Sequence, residues 1–451
     1  MWIVSSCSPL VRLLPWAALG LASCQQLDAE FCASHPQDVD CAGRFGLRTD
    51  AGMCTMHEQC SYPTPVCDKV RSMCVACTPA ESGACGGATP VCGSDDACHG
   101  CAADAECASQ TCLPDGACAS PLDVLYAGPA GSELATCMPA DRCSLGRAIN
   151  LIDGTKSTIR LDPGQYDLLA TLGLSHDLHL VGRGAVLDRN ALGLGPVLDI
   201  PQGTKIALDY VTLQGGDGAD GAGIRCVNAA LVLREVVIQN NAGHGISSSG
   251  CSLAVSHVQI RNNTGVGAAV SLGDFALARS TVVANQGGGV IESFATYDIE
   301  NNVIVKNGGP SGGFGGVQLS QVNTAPGHVF AFNTVAQNAA PFGITSGVVC
   351  SLINAPLALT SNIVVDNSGA SQVEGANCNW TYSDIEPAPV AGTGNRSSDP
   401  LFVDSLHNNF HLQIASPVRD AADPTATLAV DIDGDARPQG TARDMGADEI
   451  K

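Results

Sequence analysis

Four side chains that could exchange protons lie close together in the middle of the sequence. Asp217, Asp220 and Arg225 belong to the stretch GGDGADGAGIRC, and His244 follows shortly after it. Carboxylates beside an imidazole and a guanidinium could donate and remove protons during bond cleavage, so the four residues are candidates for a catalytic cleft. The alternative is structural, because stretches rich in glycine and aspartate are typical of turns. His244 itself lies between two glycines, and we expect the structural interpretation to hold.

A repeat must position these residues. Glycines that precede a small or branched apolar residue recur every 22 or 27 residues, at Gly223, Gly245, Gly267, Gly289, Gly316 and Gly343. Asparagines that close short apolar strands recur in the same phase, at Asn240, Asn262, Asn285, Asn307, Asn338 and Asn367. Two columns in one phase indicate a repeated structural unit rather than chance composition.

Each repeat has the pattern of short β-strands separated by polar bends. In LVLREVVIQN, apolar and polar residues alternate roughly with period two, and the repeat has no helical periodicity. Such strands are typical of a parallel β-helix, whose coils stack about 4.8 Å apart. The sequence therefore predicts an all-β solenoid of about nine to ten coils, about 45 Å long. We expect the glycines in turns where a Cβ would clash, and the asparagines in left-handed bends whose side chains form ladders.

Composition divides the chain into five segments. They are a lipoprotein-type signal peptide (1–23), a Cys-rich stalk (24–120), an N-terminal cap of the solenoid (121–155), the β-helix (156–385) and a C-terminal capping segment (386–451). Both ends of a β-helix expose unpaired edges that need a cap. The stretch CSLGRAINLI predicts an amphipathic helix suited to the first end.

The N-terminus predicts export. Arg12 precedes the apolar run LLPWAALGLAS, which is too short to span a membrane. The run leads into Leu21-Ala22-Ser23-Cys24, which resembles the bacterial lipobox, where the cysteine is acylated and becomes the N-terminus. We expect Cys24 to anchor an outer-membrane lipoprotein that faces the cell surface or the periplasm. The alternative is a secreted protein in which Cys24 forms a disulfide.

Cysteine spacing predicts a disulfide framework. Between Cys32 and Cys118 lie fourteen cysteines, mostly in three similar four-cysteine units with few large apolar residues between them. Crosslinks can stabilise a segment of this kind, which cannot bury enough apolar surface to fold otherwise. Zinc bound by the pairs CVAC and CHGC is the alternative, which an oxidising compartment disfavours, and the connectivity stays open. Spacing further on suggests three pairs, Cys137–Cys143, Cys226–Cys251 and Cys350–Cys378.

The stretch DIDGD near the C-terminus suggests a cation site. Asp431, Asp433 and Asp435 place oxygen ligands at alternate positions around a glycine, as calcium loops do. Calcium is the only cofactor that the sequence suggests, and the glutamate that completes such loops is absent. The alternative is a capping turn in which Asp435 or Asp444 pairs with Arg437 or Arg443.

Three segments resemble the right-handed parallel β-helix proteins of bacterial surfaces, which have the pectate-lyase-like fold: CSLGRAI, TIRLDPGQYDL and SDPLFVDSLHNNFHLQIASPVRDAAD. The Cys-rich units resemble stalk modules of myxobacterial surface proteins. The resemblance implies a right-handed solenoid on a spacer, but little about activity, because this fold carries lyases, hydrolases, epimerases and adhesins. Gly243-His244-Gly245 is similar to the histidine element of polygalacturonases, whose Asn-Thr-Asp, Asp-Asp and Arg-Ile-Lys elements are missing here.

Charge and composition narrow the function. The 44 acidic residues outnumber the 22 basic ones, for a formal net charge of -22, so we exclude nucleic acid as a partner. Of three tryptophans only Trp380 lies beyond the signal peptide, which leaves few aromatic platforms for sugars. We predict a membrane-tethered surface protein that is structural or adhesive, or that binds a polysaccharide or a surface protein. The alternative is a polysaccharide lyase or glycoside hydrolase that uses the candidate cleft.

Overall fold

The computed structural model describes residues 54–190, 193–218, 221–310, 314–320, 327–351, 356–369 and 371–451. Cys24, Asp220 and the expected signal peptide lie outside the described residues. The chain divides into two compact units, Met1–Cys85 with Cys92–Cys98, and Gly86–Val91 with His99–Lys451. Among the described residues, no helix has the length and apolar character needed to cross a membrane.

Disulfides hold the described part of the first unit, which has little regular structure. Strands Val66–Asp68 and Met73–Val75 pair antiparallel, and 3-10 helices span His57–Gln59 and Pro79–Ala84. The short strands Val91–Cys92 and Cys98–His99 follow along the chain. The disulfides of this unit are Cys54–Cys67, Cys60–Cys74, Cys77–Cys92 and Cys85–Cys98.

The three four-cysteine units share one connectivity. In each, the first cysteine pairs with the third and the second with the fourth. The last unit repeats this pattern with Cys101–Cys112 and Cys107–Cys118, around the 3-10 helix Asp104–Glu106. Each CxxC pair is therefore divided between two disulfides and offers no free thiolate to zinc. The disulfide prediction is confirmed for these units, and the zinc alternative is wrong.

From Val124 onward, short strands stack into three parallel sheets, which we name A, B and C. Sheet A has eleven strands: Val124–Ser132, Thr158–Leu161, Leu178–Val181, Lys205–Asp209, Ala230–Arg234, Ser252–Ser256, Asp274–Ala278, Thr296–Glu300, Val329–Ala331, Leu357–Thr360 and Cys378–Thr381. Sheet B has ten: Gly164–Asp167, Ala185–Asp188, Thr212–Gln214, Val237–Gln239, Gln259–Arg261, Thr281–Val283, Val303–Val305, Thr334–Ala336, Ile363–Val365 and Asp384–Ile385. Sheet C has nine: Leu172–Gly173, Leu198–Ile200, Ile224–Val227, Ile246–Ser249, Val266–Ser271, Gly288–Ser293, Val317–Ser320, Val348–Ser351 and Val373–Glu374.

A complete coil contributes one strand to each sheet, so equivalent residues of successive coils lie directly above one another. Inward residues form apolar columns, as where Leu231 pairs in register with Leu253 and Leu253 with Phe275. This confirms the predicted parallel β-helix. A short parallel pair, Asp217–Gly218 with Ala242–Gly243, lies outside the three sheets.

The glycine column marks places where coils approach closely. A Cβ added at five glycines would lie within 2.7 Å of a carbonyl oxygen in the next coil; these are Gly223, Gly245, Gly267, Gly289 and Gly316. The sixth member is Gly347, because Val317 pairs with Val348. The prediction of Gly343 was wrong, since the longer loop in this coil shifts the register by four residues.

A ladder of asparagine side chains runs through the interior. In two coils, the ladder residue follows the predicted asparagine by one position. Each side-chain amide donates to the next Oδ1 at 2.8–3.0 Å along Asn241, Asn263, Asn285, Asn307, Asn338 and Asn367. Asn240 and Asn262 instead take the left-handed conformation just before the ladder residue. The left-handed bend and the ladder therefore occupy two adjacent positions. In these two coils both positions are asparagine, so the sequence does not show which of them forms the ladder.

The first coil is closed by the predicted helix. Helix Leu145–Asn150 begins at Ser144, whose hydroxyl accepts a hydrogen bond from the Arg147 N–H at 3.0 Å, and it buries its apolar face. The third four-cysteine unit packs on the same end, because the Tyr126 hydroxyl donates to the Ser109 carbonyl at 2.8 Å. The disulfides of this second unit outside the stalk are Cys137–Cys143, Cys226–Cys251 and Cys350–Cys378, the three pairs that spacing suggested.

The C-terminal segment covers the outer face of sheet B. It contains the antiparallel strands Phe402–Asp404 and Asn409–Leu412 and the 3-10 helix Ser405–His407 between them. It shares one buried apolar cluster with the later coils, which includes Phe410, Leu412, Val418, Met445 and Ile450 on one side and Val305, Phe332, Ile363 and Val365 on the other. Sheet B is thus buried on both faces in these coils.

Candidate functional site

Three of the predicted cleft residues, Asp217, His244 and Arg225, each contact a different part of the β-helix. Asp217 pairs in register with Ala242, so it lies one coil before His244. The Nδ1 atom of His244 accepts a hydrogen bond from the Val266 N–H at 2.9 Å, in the following coil. Arg225 lies on the outer face of sheet C, where its Nε is 3.6 Å from an Asp199 oxygen. The structure therefore places Asp217, Arg225 and His244 on neighbouring coils, and their catalytic role stays a prediction.

The His244 hydrogen bond also limits its chemistry. A neutral imidazole whose Nδ1 accepts a proton donor carries its own proton on Nε2. In this tautomer His244 can donate a proton but offers no free lone pair for a general base. A positioning role in the turn accounts for the contact with the Val266 N–H.

The carboxylates of the DIDGD stretch have protein partners. Asp431 is fully buried, and its carboxylate accepts the N–H groups of Asp433 and Asp435, at 3.0 and 2.8 Å, and of Glu449 at 3.1 Å. Asp435 pairs with Lys451 at 2.8 Å. These contacts are those of a backbone-capping turn. Oxygens of Asp431, Asp433 and Asp435 also lie within 4.8 Å of one another, so calcium binding here stays a prediction.

The arginines near this turn have other partners. Arg437 pairs with Glu449 at 3.1 Å, with both side chains fully buried. Arg443 donates from Nε to the Leu428 carbonyl at 2.8 Å. The expected pairing of the turn with Arg437 or Arg443 is therefore replaced by contacts of Asp435 with Lys451 and of Asp433 with His411.

A pocket of about 240 Å³ lies where the C-terminal segment meets the β-helix. From the β-helix it receives His257 and Arg279, left-handed residues that follow two successive strands of sheet A. From the C-terminal segment it receives His411, Asp433 and Asp448. Its other lining residues are Val258, Gln259, Thr281, Val303, Asn408, Phe410 and Ile432. We refer to this site as the B-face pocket.

The charged groups of the B-face pocket influence one another. Burial alone would lower the pKa of His411, but the hydrogen bond to Asp433 and the charges of Asp448, Asp433 and Asp431 raise it overall. Burial, followed by the charge of Arg279, lowers the pKa of His257. Burial raises the pKa of Asp448. The pocket thus combines one histidine that favours the charged form with one that favours the neutral form.

A second cluster lies on the outer face of sheet A. The fully buried Asp209 carboxylate accepts two hydrogen bonds from Arg234, at 2.9 and 3.0 Å, and also contacts His179 Nε2. Nearby, the Arg183 guanidinium lies 3.4 Å from the ring centroid of Tyr210. The carboxylate orients both side chains, as in sites where an acid positions a histidine. No sequence motif pointed to it, because its members come from three separate coils.

One carboxylate lies in the β-helix interior itself. Glu292 is fully buried in an inward column of sheet C, between Val270 and Leu319. Its oxygens accept the N–H groups of Ala295 and Ser320, at 2.6 and 3.2 Å. Burial raises its pKa to about 7 despite these hydrogen bonds.

The similarity of this chain to known proteins is remote. No protein family profile matches the chain, and no curated protein matches its sequence. Among solved structures, the crystal structure of pectate lyase Pel9A is similar, with 16% sequence identity, a TM-score of 0.47, and coverage of 73% of this chain and 96% of that chain. A likeness this remote carries no argument about the fold or the activity of this chain.

Proposed function

We propose that this chain is an exported, lipid-anchored β-helix protein that binds a macromolecular partner at the cell surface. The observation that carries the proposal is the state of the cysteines. All eighteen described cysteines are joined in disulfides. Disulfides in this number form and persist in oxidising compartments outside the cytosol.

The same pairing supports Cys24 as the anchor. Because the described cysteines pair among themselves, Cys7, Cys24, Cys32 and Cys41 have only one another as partners within the chain. Removal of a signal peptide that ends at residue 23 takes away Cys7 and leaves three. One of the three must then lack an intrachain disulfide, and Cys24 directly follows the lipobox-like residues. Acylation of Cys24 leaves Cys32 and Cys41 to pair.

A binding role suits the scaffold. Interior ladders and a continuous apolar core make a stiff solenoid, and its sides present one residue per coil at regular spacing. A polysaccharide or a surface protein would meet such a face over several coils. The enzyme alternative, a polysaccharide lyase or glycoside hydrolase, is favoured by one observation, which is the convergence of His257, Arg279, His411 and Asp448 on the B-face pocket.

Acylation is tested in a bacterium with an outer membrane. The full chain and a Cys24→Ser variant are expressed with an alkyne-labelled fatty acid, and the membrane and soluble fractions are compared. We expect label and membrane retention in the wild type and loss of both in the variant. A Cys32→Ser variant is the matched control, because it removes a neighbouring cysteine and should keep the label. An unlabelled wild type, or Cys24 recovered in a disulfide by mass spectrometry, would refute the anchor.

Two assays on the purified chain distinguish a binding function from a catalytic one. Binding to pectins, alginates and neutral glucans is measured by interferometry, and release of unsaturated uronate or reducing ends is followed on the same panel. We expect binding without turnover. Turnover that is lost in His244→Ala would assign catalysis to the predicted cleft, and turnover lost in His257→Ala would assign it to the B-face pocket. Either result would replace the binding role with the enzyme alternative.

A further inference from the structure

We propose that His411, Asp433 and Asp448 form a binding site for a divalent transition metal ion, with Zn²⁺ as its reference ligand. One imidazole nitrogen and two carboxylate oxygens from these residues lie within 4.8 Å of one another. All three side chains line the B-face pocket. The site goes beyond the proposed binding function and differs from a calcium loop in Asp431, Asp433 and Asp435, because it includes an imidazole.

The imidazole is held in the orientation that a metal ligand needs. The Nδ1 atom of His411 lies 2.6 Å from the Asn409 Oδ1, which also accepts the backbone N–H of His411. Because an amide oxygen only accepts hydrogen bonds, Nδ1 carries a proton. In the neutral ring, the lone pair is then on Nε2, which faces Asp433. Metal-binding histidines characteristically donate their second N–H to an oxygen in this way.

The second carboxylate is buried. Asp448 is 8% exposed, and its Oδ2 accepts the Leu412 N–H at 2.7 Å. The same carboxylate borders the pocket. A carboxylate that is largely withdrawn from water is costly unless a proton or a cation neutralises it. The geometry therefore points to a positive ligand beside Asp448.

The donor set indicates the kind of ion. One imidazole with carboxylates suits Zn²⁺ and similar ions, whereas Ca²⁺ prefers six to eight oxygen ligands. Zinc bonds of about 2.0 Å in a tetrahedron place ligand atoms about 3.3 Å apart. His411 Nε2 and Asp433 Oδ2 are 2.7 Å apart, joined by a proton. Replacing that proton with an ion requires only a small movement of Asp433, whose side chain is 50% exposed and precedes Gly434.

The site opens onto the B-face pocket. This pocket has a volume of about 240 Å³ and is bordered by His257 and Arg279 from the β-helix. At about 30 Å³ each, this is room for about eight water molecules. Three protein ligands and an open position are the arrangement of zinc sites that accept a water or an external ligand. Arg279 would favour an anionic oxygen as that ligand.

Zinc binding is measured by calorimetry on the full-length exported protein, after chelator treatment and with its disulfides intact. We expect one Zn²⁺ per chain, and at least tenfold weaker binding in His411→Ala and in Asp448→Asn. His407→Ala is the matched control, because His407 also pairs with a carboxylate, Asp404, at 2.7 Å, in the same segment. This control should bind zinc like the wild type.

Two further variants keep the result interpretable. Asp433→Asn alters a half-exposed side chain, so it should fold normally and still weaken zinc binding, with folding checked by circular dichroism. A parallel titration with Ca²⁺ on the wild type and on Asp435→Asn tests the neighbouring loop. The proposal is overturned if zinc shows no saturable binding at micromolar concentrations, if His407→Ala loses as much affinity as His411→Ala, or if Ca²⁺ binds instead and depends on Asp435.

Discussion

Replacing Glu292 with glutamine should make the protein's stability less dependent on pH. The carboxyl of Glu292 is fully buried in the solenoid interior. Burial raises its pKa from 4.5 to about 7, while hydrogen bonds from the Ala295 and Ser320 N–H groups oppose the shift. The folded chain therefore holds this proton more tightly than the unfolded chain does.

The sign and size of the effect follow from linkage. Where the folded state binds more protons, the free energy of unfolding falls as the pH rises. The contribution of Glu292 is fully present below pH 4.5 and is lost progressively as the pH rises to about 7. Each pKa unit corresponds to about 1.36 kcal/mol, so the loss is about 3 kcal/mol. Glu292→Gln stays neutral throughout and should lack this contribution.

The assay is urea unfolding at pH 4 and pH 8, with disulfides intact and the fluorescence of the buried Trp380 as the signal. Relative to the wild type, Glu292→Gln should gain about 3 kcal/mol between pH 4 and pH 8. Changes in hydrogen bonding by the amide are independent of pH and cancel in this comparison. Glu235→Gln, at an exposed bend, is the control and should gain nothing. An equal difference from the wild type at both pH values would refute the reasoning.

Three further changes, one of them with a matched control, test the scaffold by urea unfolding at fixed pH. Asn307→Ala breaks the buried ladder and leaves partners in both adjacent coils unsatisfied, which should cost about 3 kcal/mol; a loss under 1 kcal/mol would contradict the role of the ladder. Gly289→Ala places a Cβ against a backbone carbonyl of the next coil and should cost more than about 2 kcal/mol. Gly309→Ala, which meets nothing within 4 Å, should be neutral. Replacing Cys226 and Cys251 together with serine should cost about 3 kcal/mol, and an unchanged midpoint would show that the crosslink contributes nothing.

The repeat predicted the architecture because stacking imposes the same demand on every coil. Close approach requires glycine, and the ladder requires asparagine, so both columns are visible without a structure. The predicted register was wrong where a coil has extra residues, as between Gly316 and Gly347. Spacing alone does not show which glycine of such a coil contacts the next coil. The predicted register was also wrong at Asn240 and Asn262, whose neighbours are asparagines as well. Lys306 takes the same left-handed bend, so stacking overrides the local preference for asparagine there.

The B-face pocket could not be predicted from the repeat, because half of it comes from a segment that has no repeat. His257 and Arg279 are fixed by the coils, but His411 and Asp448 arrive only when the C-terminal segment lies on sheet B. One signal for that docking was present in the sequence. Strand Ile363–Val365 is apolar at every position and buried at every position. It therefore lacks the alternation of apolar and polar residues that is typical of a sheet with one solvent-exposed face. An apolar outer face must be covered, and here its cover supplies the histidine and the carboxylates of the pocket.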